Sequence, residues 1–205
     1  VLHTAHDLPR RPSSSSSVLT APRSNYAELL SLLHATLLPR AAQYDLHLSL
    51  LLKGARGSGK RTMAHWVASA CGVHVFEISC FELLGDSDAR TEGALRARFE
   101  QAASCGPAIL LLRHVEALAR KSQAMESGQE PPLVAALKDC IAQLRKATKA
   151  QKGDRAAPRP VAVIATTSEA EKCPTGVLGC FKHEITLEVS SPHARPLAWA
   201  TAPTR

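Results

Sequence analysis

The octapeptide Gly54-Ala55-Arg56-Gly57-Ser58-Gly59-Lys60-Arg61 constrains this chain more than any other stretch. It follows the apolar run Leu48-Ser49-Leu50-Leu51-Leu52 and precedes a helical pattern from Arg61 to Cys71. Strand, glycine loop, lysine and helix, in that order, make a phosphate-binding loop. The glycines let successive backbone N–H groups curl round an anion. The helix N-terminus adds partial positive charge, and the Lys60 ammonium reaches the outer phosphates. The pattern G-x-x-x-x-G-K-[ST] is met at seven of its eight positions. At the eighth, where a Ser or Thr hydroxyl ligates magnesium, stands Arg61. Thr62 comes one residue late, about 100° further round the helix, and cannot simply substitute. A plain glycine turn before a helix would leave Lys60 unexplained. The candidate cofactor-binding residues are therefore Gly54, Ala55, Arg56, Gly57, Ser58, Gly59, Lys60, Arg61 and Thr62.

With 205 residues, 45% of them apolar, the chain holds one domain of ordinary size with a real core. Aromatics are only 4%, low for a protein that grips bases or sugars by stacking. The net charge of +7 is uneven: between Lys138 and Arg159 seven Lys or Arg face two Asp, a local +5. Such a stretch is either a patch for an anionic partner or a solvated helix end followed by a basic loop. No aromatics interleave with the charges, which favours the second reading. Six cysteines show no C-x-x-C pair and no histidine spacing for zinc, so they read as reduced thiols of an intracellular protein, and no residue is assigned to a metal. No apolar run approaches the roughly 20 residues of a membrane span. The chain opens on Val1 without a signal-peptide pattern, and is expected to be a piece of something longer.

Residues 1–23 are rich in Pro, Ser and His and read as a disordered linker. Asn25-Tyr26-Ala27-Glu28 reads as a capping box opening a helix that Pro39 stops. Strands are expected at Leu48–Lys53, Val73–Ser79, Ala108–Leu112, Val161–Thr166 and Glu184–Glu188. Helices are expected at Arg61–Cys71, ending at Gly72, at Thr91–Cys105, with Gly106 as the stop, and at Leu133–Lys149. Strands alternating with helices, without hairpin signals, imply an α/β fold: a five-stranded parallel sheet flanked by helices in three layers. The folded domain is placed at 24–189 and an unstructured tail at 190–205.

From about Tyr26 to Glu188 the chain resembles the large subdomain of an AAA+ ATPase, a P-loop NTPase fold. Leu50-Leu51-Leu52-Lys53 and the glycine loop carry the resemblance, with Ala165-Thr166-Thr167-Ser168-Glu169 and Cys180-Phe181-Lys182-His183-Glu184-Ile185. These segments are similar to the first, degenerate nucleotide domain of the peroxisome-biogenesis ATPases within that family. The resemblance implies ATP as cofactor and a hetero-hexameric ring with a related, peroxin-1-like subunit. It also implies cytoplasmic work at the peroxisomal membrane surface, through a membrane anchor, to extract the matrix-protein import receptor. The family's small helical lid is not read after Glu188.

Each catalytic station of the family departs from its pattern. The magnesium-holding carboxylate and the water-activating carboxylate after the third strand are Arg113 and His114. A guanidinium repels a divalent cation by several kcal/mol at moderate dielectric. The imidazole of His114 could in principle accept a proton, which makes it a weak candidate base; Glu116 reads as a solvated helix-start residue. The sensor position falls on Ser168, or on Thr167. No Arg stands near Val177 to Cys180, where arginine fingers belong, and Gly85-Asp86-Ser87-Asp88 has no aromatic to grip a threaded polypeptide. The expectation is a module that binds ATP, with magnesium disfavoured, and hydrolyses it weakly or not at all. Arg61 and Arg113 either replace the metal's charge against phosphate oxygens or form surface salt bridges. A clamp-loader-like, nucleic-acid-related subunit and a ring scaffold that binds nothing are the alternatives.

Overall fold

The computed structural model describes residues 20–38, 41–44, 46–120, 132–150 and 160–188. The linker before Thr20, the basic stretch 151–159 and the tail assigned to 190–205 lie outside the described residues. The elements are α1 (Thr20–Leu37), β1 (Ser49–Gly54), α2 (Lys60–Cys71), β2 (His74–Ser79), α3 (Cys80–Leu83), α4 (Asp88–Ser104), β3 (Ala108–Arg113), α5 (Glu116–Arg120), α6 (Pro132–Ala150), β4 (Val161–Thr167), α7 (Thr175–Leu178) and β5 (His183–Leu187).

The five strands pair in the order β2-β3-β4-β1-β5, and every pair is parallel. Side chains alternate across each strand, so one face carries Leu51, Leu110, Leu112, Val163 and Ala165. These pack with Leu95 and Phe99 of α4 and Leu137 and Ile141 of α6. The other face carries Leu50, Leu52, Ile109, Leu111, Ala162 and Ile164, against Leu29 and Leu33 of α1 and Met63, Ala64 and Val67 of α2. Both faces are covered, which is why β1, β3 and β4 read as apolar runs rather than alternating ones. The three-layer α/β expectation holds. From β1 the chain crosses to β2 on one side, while β4 passes over β1 to reach β5 on the other. In open parallel sheets ligands bind at such a reversal, beyond the carboxyl ends of the strands.

Two local expectations are corrected. Helix α1 begins at Thr20, inside the stretch assigned to the linker, so Asn25 is a helix-interior residue rather than a cap. Its Nδ2 donates to the Thr186 carbonyl at 2.9 Å, pinning α1 to the edge strand β5. Gly106 does not end α4 in a left-handed conformation. Cys105 closes the helix with its N–H on the Ala102 carbonyl, and the Gly106–Pro107 peptide is cis. Gly72, by contrast, ends α2 as expected, left-handed at φ 67° with its N–H on helix carbonyls.

Leu51 sits in β1, an interior strand between β4 and β5, and is fully buried. Leu51→Ala is expected to cost about 3 kcal/mol, from lost transfer energy and the cavity left behind. Urea unfolding of the variant against wild type measures it; a loss below about 1 kcal/mol would mean that the two layers close over the gap.

Candidate functional site: a phosphate cradle beside an ionic hub

Strand β1 releases the chain at the carboxyl edge of the sheet, and the glycine loop turns there into α2. Gly57 and Gly59 take φ 81° and 85°, the left-handed region that side-chain-bearing residues rarely adopt. Gly54, at φ 151°, is fixed by close approach as well: a Cβ on it would lie 2.5 Å from the Leu187 carbonyl oxygen. Ala55, Arg56, Gly57 and Gly59 are exposed, Ser58 is half-buried, and the Ser58 N–H turns back to the Ala55 carbonyl at 3.2 Å. Arg56 reaches Glu169, at 3.5 Å, from the loop after β4. Thr62 is half-buried in the first turn of α2.

Lys60 opens α2 and lies folded over the loop. Its Nζ donates to the Gly54 carbonyl at 2.7 Å, the Ala55 carbonyl at 2.8 Å and the Ser58 hydroxyl at 3.3 Å. Burial lowers its pKa, and the nearby charge of Glu116 works the other way. The ammonium is thus desolvated and held by neutral oxygens alone, the state in which it gains most from an arriving anion.

Glu116 corrects the reading of a solvated residue. Its side chain is 4% exposed at the start of α5, and its Oε2 has no hydrogen-bond partner among the described residues. Its Oε1 stands 3.5 Å from His114 Nδ1. His114 adopts a left-handed backbone at φ 58°, a strain on the order of 1–3 kcal/mol for a non-glycine residue. Its ring lies 5.3 Å from that of Phe81. Thr167 is buried at the end of β4, level with Lys53 on β1, and its hydroxyl accepts from the Glu169 N–H at 3.2 Å. Ser168 is half-buried beside it. The candidate loop, His114 and the two sensor candidates therefore share one edge of the sheet. Lys182 and His183 are exposed at the start of β5, and Asp86 pairs with Arg90 at 3.2 Å on the surface.

The two arginines form salt bridges, as one of the two expectations had it, but with a buried partner. Neither forms a mere surface bridge, because both bind Glu77, a side chain only 8% exposed on β2. Arg61 Nε lies 2.8 Å from Glu77 Oε1, and Arg113 Nη1 lies 2.7 Å from the same oxygen. His65 Nε2, one turn on from Arg61, approaches Oε2 at 2.9 Å. Burial works to raise the Glu77 pKa, but hydrogen bonds from His65, Arg61 and Arg113, with the Arg61 charge, bring it down to about 2. Sequence reading missed this hub. Its signal was a lone acid inside a strand, facing the spacing of two out-of-pattern arginines.

Among the described residues no group of three His, Cys, Asp or Glu is placed to hold a metal ion. Arg61 and Arg113 offer only N–H donors, which do not ligate a divalent cation.

A carboxyl held at about 2 against its ordinary 4.5 adds stability that is fully present above pH 4.5 and is lost as pH falls towards 2. Glu77→Gln is therefore expected to cost about 3 kcal/mol near neutrality, with the gap to wild type shrinking across that acid range. Urea unfolding at stepped pH reads this directly; a gap that stays constant would show that the carboxylate charge is not what holds the hub.

The family model for the ATPase family associated with various cellular activities (AAA) matches residues 50–189. The peroxisomal ATPase PEX6 of Yarrowia lipolytica is 36% identical over 147 residues, covering 71% of this chain and 13% of that protein. PEX6 of Homo sapiens is 31% identical over 180 residues, covering 87% of this chain and 17% of that protein. PEX6 of Cricetulus griseus is 31% identical over 168 residues, 82% of this chain and 16% of that protein. The chain thus spans less than a fifth of the length of these relatives. With the glycine loop, the parallel sheet and the family match in agreement, the chain belongs to the AAA family of ATPases.

Proposed function

We propose that this chain is a nucleotide-binding module of a peroxisomal AAA ATPase, one that holds ATP without cleaving it efficiently. The observation that carries the reading is Lys60 lying over the glycine loop while Arg113 and His114 stand where the family pattern has two acids after the third strand. On arrival of a polyphosphate, Lys60 exchanges the carbonyls of Gly54 and Ala55 for phosphate oxygens, and the loop N–H groups and the start of α2 supply the rest of the cradle. Arg113 is committed to Glu77, and His114 is tied to Glu116 and Phe81. Neither is placed to hold a metal and activate water together.

Likeness to the PEX6 proteins supports a place in a hetero-oligomeric ring with a peroxin-1-like partner. In that ring the bound nucleotide holds subunits together, and a separate active domain supplies the work of extracting the import receptor at the peroxisomal membrane. Among the described residues no helix is long and apolar enough to cross a membrane; contact with the membrane runs through an anchor protein.

Lys60→Ala is expected to abolish ATP binding, measured with a fluorescent ATP analogue, and to weaken assembly with the partner subunit. Phosphate release by wild type is expected to be no faster than by Lys60→Ala. Turnover at or above about 1 per second, typical of working enzymes, would overturn the non-hydrolysing assignment.

A further inference from the structure

Two guanidinium groups and an imidazole converge on Glu77, yet it occupies only part of each arginine. Arg61 engages it through Nε, and Arg113 through Nη1. Among the described residues no other partner is recorded for the Arg61 terminal nitrogens or for Arg113 Nε and Nη2. The Arg61 side chain is 52% and the Arg113 side chain 34% exposed.

Their place in the fold is the metal's place. Arg61 follows Lys60 directly in the first turn of α2. Arg113 ends β3, level with Thr166 on β4, which is level with Leu52 on β1, two residues before the loop begins at Gly54. The charge also matches. A divalent cation beside one strand-end carboxylate carries +2 and −1. Arg61 and Arg113 beside Glu77 carry +1, +1 and −1, the same net +1.

We propose that Glu77 is a positioning residue that clips Arg61 and Arg113 into a built-in substitute for the metal, so that this cradle takes ATP free of magnesium. The inference rests on the nucleotide-binding reading above. Guanidinium forks match phosphate oxygens in pairs, and their charge is permanent at any physiological pH. The groups facing the hub are His65, one turn along α2, and Glu77 itself; with Glu77 anionic down to about pH 2, the clip stays closed through the neutral range.

The test is equilibrium binding of a fluorescent ATP analogue to the 205-residue chain, with magnesium in excess and with EDTA. Wild type is expected to bind with affinities within about threefold of each other in the two buffers, a difference below 1 kcal/mol. Arg61→Thr restores the hydroxyl of the loop pattern at a half-exposed position. It is expected to lose about tenfold in EDTA and to recover most of this with magnesium. Arg61→Lys keeps the charge but not the fork, and is expected to fall between the two. Glu77→Gln is expected to weaken binding in EDTA while Lys60 still binds phosphate.

A wild type that loses tenfold or more in EDTA overturns the metal-free cradle alone, leaving the nucleotide reading intact. An Arg61→Thr variant indifferent to magnesium overturns it as well. Absence of binding in both buffers, or equal binding by Lys60→Ala, overturns the nucleotide reading and this inference with it.

Discussion

A parallel sheet buried on both faces leaves polar chemistry only one place to go. In β1, β3 and β4 almost every side chain is sealed from water, because α1 and α2 cover one face and α4 and α6 the other. Burying these aliphatic side chains stabilises the layers at about 25 cal/mol per Å² removed from water. A charged group in mid-strand would give back several kcal/mol unless paired. The strand ends are where the layers stop. There Leu52, Thr166 and Arg113 fall level across three strands, with Lys53 and Thr167 one step beyond. Burial thus gathers, at one edge, residues more than a hundred positions apart, and the glycine loop starts from the same edge.

Glu77 is the exception to this rule, and it accounts for its neighbours. It stands in β2, paired in register with the fully buried Leu111. A carboxylate there is tolerable only with donors on its oxygens, and it has three. Arg61 and Arg113 look like two independent departures from the ATPase pattern. Physically they are one, since each supplies the counter-charge that Glu77 needs, and Glu77 prevents the two guanidinium groups from repelling each other at the mouth of the site. Glu116 is the opposite case. Its Oε2 is buried without a donor among the described residues, a cost on the order of 1–3 kcal/mol. Its charge is felt by Lys60, and also by Cys80 and Cys173, whose thiols are pushed up first by burial and then by that carboxylate.

Much of this architecture was legible in the chain itself because it depends on local patterns. Apolar runs of strand length, glycines at fixed spacing and helical periodicity placed the five strands and main helices to within a few residues. The cradle from Gly54 to Lys60 followed from the same patterns, since positive φ and a lysine at one position leave few alternatives. What stayed hidden depends on distance in space. Asn25 with Glu28 matched a capping box, but its real partner is the backbone of Thr186, which sequence cannot bring near. Glu116 read as solvated because acids at helix starts usually are. Its burial comes from the packing of α5 against neighbouring elements. Glu77 looked like the polar half of an alternating strand, and only the third dimension shows that both out-of-pattern arginines end on it.

The proposed separation between holding a nucleotide and cleaving it rests on what guanidinium groups can and cannot do. They donate hydrogen bonds, carry fixed charge and orient phosphate oxygens, which is enough for binding. They do not lower the pKa of a bound water, and they offer no lone pair to take its proton. The imidazole of His114 has the lone pair, but it sits on a left-handed backbone turn against Glu116 and Phe81. A metal must also be recruited from solution with each nucleotide, whereas arginines clipped to Glu77 are part of the fold. On the function proposed above, such an edge would favour occupancy over turnover, the property needed where a bound nucleotide is a structural element of an assembly rather than its fuel.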